Sequence, residues 1–459
     1  MILPLLAAAA FAASPSIDWS KTNAETFEHY SKVLMMDTSN PPGNETKVAQ
    51  YLKTVLEREG IRAQLFASDP ARANMVARIK GNGSKKPLLI MGHTDVVGVQ
   101  REKWQVDPFS AIRKDGFVYA RGANDDKDSV AACLMIMLLL KRNNVSLDRD
   151  VIFLAEAGEE RSTSVGIDYM IGEHWSEIEA EFALAEGGGG QKRNGKTRYV
   201  TIATTEKVPR GARLVAKGSA GHGSVPRMDN ALIRLANAVA KVGEWQTPMR
   251  LNDTTRAYFE RLATISTPEE AARYSNIVNL EKSAAIDSYF RQREAGHYSQ
   301  LRTSVVPTII KAGFQSNVIP SEAEATLDVR MLPDEDPEKF YAEMAKVIND
   351  PNVQIIPNRT GRPFGKPASL DTPMFRALEA AQKQMYPQAI MLPSMLTGAT
   401  DMSQLRAKGV QAYGTGAVTD EKDRASGGAH SDDERIEEAA LYKYVEFLWN
   451  AVINVAAKQ

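Results

Sequence analysis

At 459 residues, 43% apolar and 25% charged, the chain is too long for one compact core and too apolar to be disordered, so two domains are expected. A formal net charge of −1 excludes a basic field for nucleic acid or an anionic membrane surface. The single cysteine, Cys133, excludes an intramolecular disulfide, and its apolar helical surroundings suit a small buried hydrophobe better than a thiolate nucleophile.

The first 13 residues are apolar and carry an Ala10-Phe11-Ala12 pattern suited to signal-peptidase cleavage, although they lack a Lys/Arg n-region. They are too short to span a membrane, and no later segment reads as an integral membrane helix. An exported protein, periplasmic or secreted, is the expectation. Residues 44–59 carry Val48, Tyr51, Leu52, Val55 and Leu56 at helical spacing, with Gly60 placed to end the helix. Strand-like runs follow at 61–66, 75–79 and 88–91. The segment 117–120 leads through Asp125 into an apolar helix at 130–140. A strand at 151–155, a helical stretch at 167–178 and a strand at 182–185 complete an alternation that predicts an α/β sandwich with a largely parallel sheet. Amphipathic helices at 230–242 and 336–348 then mix with strands at 213–217 and 324–331. The last part has helices at 374–385 and about 436–457. The expected division is a first domain at 20–197 and 363–459, interrupted by an inserted α+β domain at 198–362.

Polar residues collect where the apolar strands end. His93 and Asp95 lie two apart on an extended segment, so one can reach a metal while the other backs it. Asp125, Glu159, Glu160, Glu186 and His430 stand at similar positions. Two imidazoles with several carboxylates form a nitrogen/oxygen donor set that suits zinc, with cobalt or manganese as substitutes. Two metals need a bridging carboxylate. One arrangement gives the first His93 and Glu186, the second Glu160 and His430, with Asp125 between. Glu159, free of ligation, can take a proton from the attacking water and deliver it to the leaving amine. The bland reading of a Glu-Glu pair is a solvated surface.

The stretches MGHTDVV, ARGANDDKDS, AEAGEERS, ALAEGGGG, GHGSVP, FQSNVIP with LDVR, TGATD and GGAHSDDERI, in this order, resemble the dinuclear-zinc exopeptidases that include aminoacylase, carboxypeptidase S, glutamate carboxypeptidase and succinyl-diaminopimelate desuccinylase. The resemblance covers nearly the whole chain after the leader and is closest to the carboxypeptidase S-like branch. It implies a zinc-exopeptidase-type α/β/α catalytic domain and His93, Asp125, Glu160, Glu186 and His430 as ligands of two zinc ions. It further implies Glu159 as general base, Asp95 as partner of His93 and His222 as stabiliser of the oxyanion, in many members from across a dimer. Arg330, Asn317 and Thr400 would contact the substrate, the first two at its terminal carboxylate. Asp401 would shape the loop beside it. The alternatives stay open: His222 as a turn residue, Arg330 as a structural ion pair, Glu186 as a cap. His29, His174 and His297 read as unrelated packing or surface residues.

Two departures stand out. Asp128 occupies a position where relatives have glycine, and would either cap the following helix or add negative charge near the metals. A long insert at 250–302 enlarges the inserted domain. The expected activity is hydrolysis of an amide bond next to a free carboxylate, in a short peptide or an N-acyl amino acid. The alternatives are an aminoacylase-type deacylase and a non-catalytic exported peptide-binding protein. The resemblance makes the inserted domain at 198–362 a lid or dimerisation domain, which could pair two protomers into a homodimer or, being enlarged, replace that pairing within one chain.

Overall fold

The computed structural model describes residues 16–358 and 361–458, and within them all side chains except those at 280, 424 and 425. The leader therefore lies outside the described residues. The chain divides into two compact units, one formed by residues up to Thr204 with Ala368–Pro393 and Thr400 onward, the other by Thr205–Pro367 with Ser394–Ala399. The division falls later than the expected 197/198 because Lys196–Glu206 is one long strand, most of which belongs to the first unit's sheet.

That sheet runs in the order Ala63–Phe66, Asn74–Ile79, Val151–Glu156, Leu88–His93, Phe182–Ala185, Gln411–Gly414, Lys196–Glu206, Gly189–Arg193, Val418–Asp420, with Ile390–Leu396 also against Lys196–Glu206. It is mixed rather than largely parallel. The four strands from Val151–Glu156 to Gln411–Gly414 are parallel, whereas the flanking pairs at Asn74–Ile79 and Lys196–Glu206 are antiparallel. The central strands are apolar throughout because both faces are covered. Leu88 and Ile90 join Val130, Leu134, Trp449 and Val452 on one side. Leu89 and Met91 join Ile167, Met170, Met402 and Leu405 on the other. The helix Lys127–Arg142 is buried on every side from Lys127 to Leu140, which accounts for its weak polar face. The sequence expectation of a helix from about 436 is corrected. Arg435–Glu437 is a strand paired with Phe117–Tyr119, and the helix begins at Glu438. The stretch 167–178 is likewise two helices, Ile167–Glu173 and Trp175–Ile178, divided at His174.

The second unit is an antiparallel sheet. Glu322–Met331 lies between Ser304–Ala312 and Ala212–Lys217, and Val353–Pro357 follows Ala212–Lys217. Along Glu322–Met331, Ala323, Ala325, Leu327, Val329 and Met331 are buried and alternate with more exposed positions, the period-two pattern of a strand covered on one face. The helices Ala231–Glu244 and Pro337–Ile348 supply the cover through Leu235, Phe340 and Met344. The insert forms four helices between Asp253 and Gln300, packed through Phe259, Tyr274 and Phe290 around His297.

Candidate metal centre

Three neighbouring parallel strands end side by side, and each delivers an acid or an imidazole at or just past its last residue. In such sheets the crevice beyond the carboxyl ends is where ligands gather. His93 closes Leu88–His93 and is 2% exposed. Glu186 follows Phe182–Ala185 directly. Glu159 and Glu160 lie in the loop after Val151–Glu156. Asp125 comes from the turn before the helix Lys127–Arg142. Gly92 permits the close approach of that helix, since a Cβ there would stand 2.9 Å from Val130 N and 3.0 Å from Asp126 Oδ2. His430 stands between Glu421–Gly427 and Arg435–Glu437, at a φ of 65°.

These residues converge into two groups that share Asp125. Ligand atoms of His93, Asp125 and Glu186 lie within 4.8 Å of one another, and so do those of Asp125, Glu160 and His430. His93 Nε2 is 2.8 Å from Asp125 Oδ1. His430 Nε2 is 3.2 Å from Asp125 Oδ2 and 3.1 Å from Glu160 Oε1. Glu159 belongs to neither group, yet it is buried and lines the same small cavity as His93 and Glu186.

The electrostatics demand positive charge here. Burial disfavours a charge on His93, but hydrogen bonds to Asp125 and Asp95 outweigh it and hold its pKa well above the ordinary value. Hydrogen bonds to Asp125, then Glu160, push His430 up to about 10. Burial, then the charges of Glu159 and Asp125, hold Glu186 far above the usual carboxylate range. Divalent cations would supply the same positive charge, and the imidazole and carboxylate donors fit them.

The surroundings of the groups correct several expectations. The nearest contact of His93 Nδ1 is the backbone carbonyl of Asp95 at 3.0 Å, with the Asp95 carboxylate at 3.5 Å. That carboxylate also accepts from Asn40 Nδ2 at 2.8 Å and from the N–H groups of Glu159 and Glu160 at 3.1 and 3.2 Å. Burial alone would raise its pKa. The bonds from His93, Asn40 and Glu160 hold it below the usual range. Asp95 therefore anchors the loop bearing Glu159 as well as backing His93. Asp128 is not the helix cap: that position is Asp126, whose Oδ2 accepts from His93 N at 3.2 Å. Asp128 is buried in the first turn, where burial raises it to about 7 and Asp125 contributes, so much of the negative charge it would bring behind the centre is suppressed at neutral pH. Thr400 is also buried, and its hydroxyl accepts from Met402 N at 3.2 Å, starting the helix Met402–Ala407. Sequence reasoning missed Asn40, Asp126 and Glu434. Glu434 receives Arg121 at 2.5 Å and Asn124 N at 2.9 Å, and so fixes the turn before Asp125.

Within the second unit, His222 pairs with Val318 on a short ribbon and is exposed. Its Nδ1 accepts from Ser224 N at 3.1 Å. A neutral ring then carries its proton on Nε2, ready to donate. Asn317 accepts Gly223 N–H through its backbone at 2.7 Å. Arg330 is held by Asp328, Nε to Oδ1 at 2.8 Å and a terminal nitrogen to Oδ2 at 3.2 Å, which is the ion-pair reading. The remaining histidines pack locally: His29 on Tyr51, His174 on Tyr169, His297 on Glu294 and Tyr258.

Residues 89–454 match the model of the family described as peptidase family M20/M25/M40. The human protein named "N-fatty-acyl-amino acid synthase/hydrolase PM20D1" is 30% identical over 330 residues, which span 69% of this chain and 64% of that protein, less than two thirds of its length. The Staphylococcus aureus (strain N315) protein named "Probable succinyl-diaminopimelate desuccinylase" is 26% identical over 444 residues, 94% of this chain and 97% of that one. Among solved structures, an M20 family metallo-carboxypeptidase, Sso-CP2 from Sulfolobus solfataricus, superposes with a TM-score of 0.69 at 21% identity, covering 94% of this chain and 99% of that one.

Proposed function

The chain belongs to peptidase family M20/M25/M40 and is a metallo-hydrolase; from that premise we propose that it hydrolyses an amide bond next to a free carboxylate in a short peptide or N-acyl amino acid. The observation that carries the reading is the pair of three-residue groups sharing Asp125, with Glu159 beside them and outside both. His93 and Glu186 would hold one divalent ion, Glu160 and His430 the other, and Asp125 would bridge them. Zinc is our assignment, with cobalt or manganese as substitutes. When bound, such ions polarise a carbonyl and acidify the attacking water.

The protein's own groups do the rest. Glu159 takes a proton as water oxygen bonds to the carbonyl carbon, and returns it to the amine nitrogen as the C–N bond breaks. Asp95, bonded to the Glu159 and Glu160 N–H groups, keeps that base in place. His222 is assigned the oxyanion, to which a proton on Nε2 would donate. Arg330, with Asn317, is assigned the substrate carboxylate; Asp328 already occupies part of its fork, so substrate must share or displace that partner. A deacylase reading is favoured by the names of the human and Staphylococcus aureus relatives, an acyl-amino acid hydrolase and a desuccinylase.

The homodimer is proposed through the second unit, because the edge strand Ser304–Ala312 exposes Val306, Ile309 and Ile310 and the helix Ala231–Glu244 exposes Leu232 and Ile233. Export is proposed on the leader alone. Among the described residues no helix is long and apolar enough to cross a membrane. The test is a panel of dipeptides and N-acyl amino acids, each with its C-terminal amide counterpart, assayed for released amine with zinc, cobalt and manganese in turn. Cleavage confined to the free acids is expected. Equal cleavage of the amides, or none of either, contradicts the proposal.

A further inference from the structure

One acid at the centre has no part in the reaction above. Glu156, the last residue of Val151–Glu156, is fully buried. Its Oε1 accepts the N–H of Ile167 at 3.0 Å, the first residue of the helix Ile167–Glu173. That bond closes the root of the loop 157–166, which carries Glu159 and Glu160. The closure is tight: a Cβ on Gly166 would stand 1.8 Å from the Ala157 carbonyl oxygen and 3.0 Å from Glu156 Oε1. The other oxygen, Oε2, is buried, and no hydrogen-bond donor of the described residues reaches it. The carboxyl of Asp401, which immediately precedes Met402–Ala407, lines with Glu156 the cavity that holds His93, Glu159 and Glu186. Burial, then the neighbouring Asp401 carboxyl, holds Glu156 well above the usual carboxylate range.

The loop is thus pinned twice: at its tip, where Asp95 receives the Glu159 and Glu160 N–H groups, and at its root, where Glu156 receives the Ile167 N–H. We propose that Glu156, through its bond to Ile167, is a positioning residue that fixes the loop 157–166 and thereby the orientation of Glu159. The proposal rests on the reading of Glu159 as the base, and its test separates the two. Glu156→Gln keeps the bond from Ile167 through its amide oxygen and leaves a polar group beside Asp401; Glu156→Leu fills the space and loses the bond.

In the full-length, metal-loaded protein, deuterium exchange of the 157–167 amides should quicken in Glu156→Leu and stay unchanged in Glu156→Gln. On whichever of glycyl-L-leucine and N-acetyl-L-leucine is turned over, Glu156→Leu should lower kcat about 10- to 100-fold with KM within about twofold and metal content intact. Glu156→Gln should stay within about threefold of the parent. Unchanged exchange in Glu156→Leu, or Glu156→Gln as damaging as Glu156→Leu, overturns the proposal. Should Glu156→Leu not fold, Glu156→Met, which also lacks an acceptor for the Ile167 N–H, takes its place with the same expected loss. A fully active Glu159→Gln would refute the base instead, and would leave the exchange result standing.

Discussion

The two halves of the candidate centre share one aspartate and differ in almost everything else. His93 ends a strand buried on both faces, is 2% exposed, and has its backbone N–H held by Asp126. His430 stands on a loop at positive φ with 52% of its side chain exposed. The inner group is therefore fixed by the sheet, whereas the outer group depends on a loop between a short helix and a short strand. The difference teaches that one scaffold can provide a rigid ligand site and an exchangeable one through a common bridge. Loops open more readily than core strands.

The sharpest way to break the comparison is to remove what the halves share. Asp125→Ala should lose both ions and all measurable turnover, checked by elemental analysis beside the amine-release assay. Removing the base leaves both halves whole: Glu159→Gln should lower kcat by about 10²- to 10⁴-fold while metal content stays at the parent value. Near-parental activity would remove Glu159 from its role.

Removing one half should separate them. His430→Ala should lose one ion and keep the other. His93→Ala should lose the inner ion and weaken the outer one, since Asp125 leans on His93 Nε2. Timed chelation of the parent should likewise release the ions in two phases, the outer first. A single phase would show that the halves do not differ.

The smallest effect is in pH. Asp125 and Glu160 raise His430 to about 10, so at pH 7 the metal-free ring carries a proton that an incoming ion must displace. Metal binding at pH 7 should release protons, visible as a calorimetric heat that varies with buffer ionisation enthalpy, and affinity should fall as pH is lowered. For the metal-free protein the sign is opposite at high pH. His430 has a folded pKa above its unfolded value, so its contribution is fully present below about 6.5 and is lost as pH rises through about 10. Metal-free Tm should therefore drop across that window.

How much of this the sequence revealed follows from what each feature depends on. The run Leu88-Leu89-Ile90-Met91 announces a strand buried on both faces, and an acid or imidazole just past such a strand must stand at the sheet's carboxyl edge. That is why His93, Glu186, Glu159 and Glu160 could be grouped from residues separated by up to 93 positions. Side chains that bond to backbone were not legible, because loop conformation decides them. Periodicity does not say that Asp95 would take the Glu159 and Glu160 N–H groups, that Thr400 would start a helix, or that Asp126 would brace His93. The pairing of Arg330 with Asp328 was equally hidden: two residues apart on a strand they share a face, yet spacing cannot choose between an internal partner and a substrate. The long strand Lys196–Glu206 concealed the boundary between the units, since nothing in its composition marks Thr204.

The central claim, that five side chains hold two ions across one shared aspartate, is tested most directly by anomalous diffraction from crystals of the zinc-loaded protein. The account predicts two peaks, one within bonding distance of His93, Asp125 and Glu186, the other of Asp125, Glu160 and His430. A single peak, or a pair that leaves Asp125 touching only one ion, would contradict it.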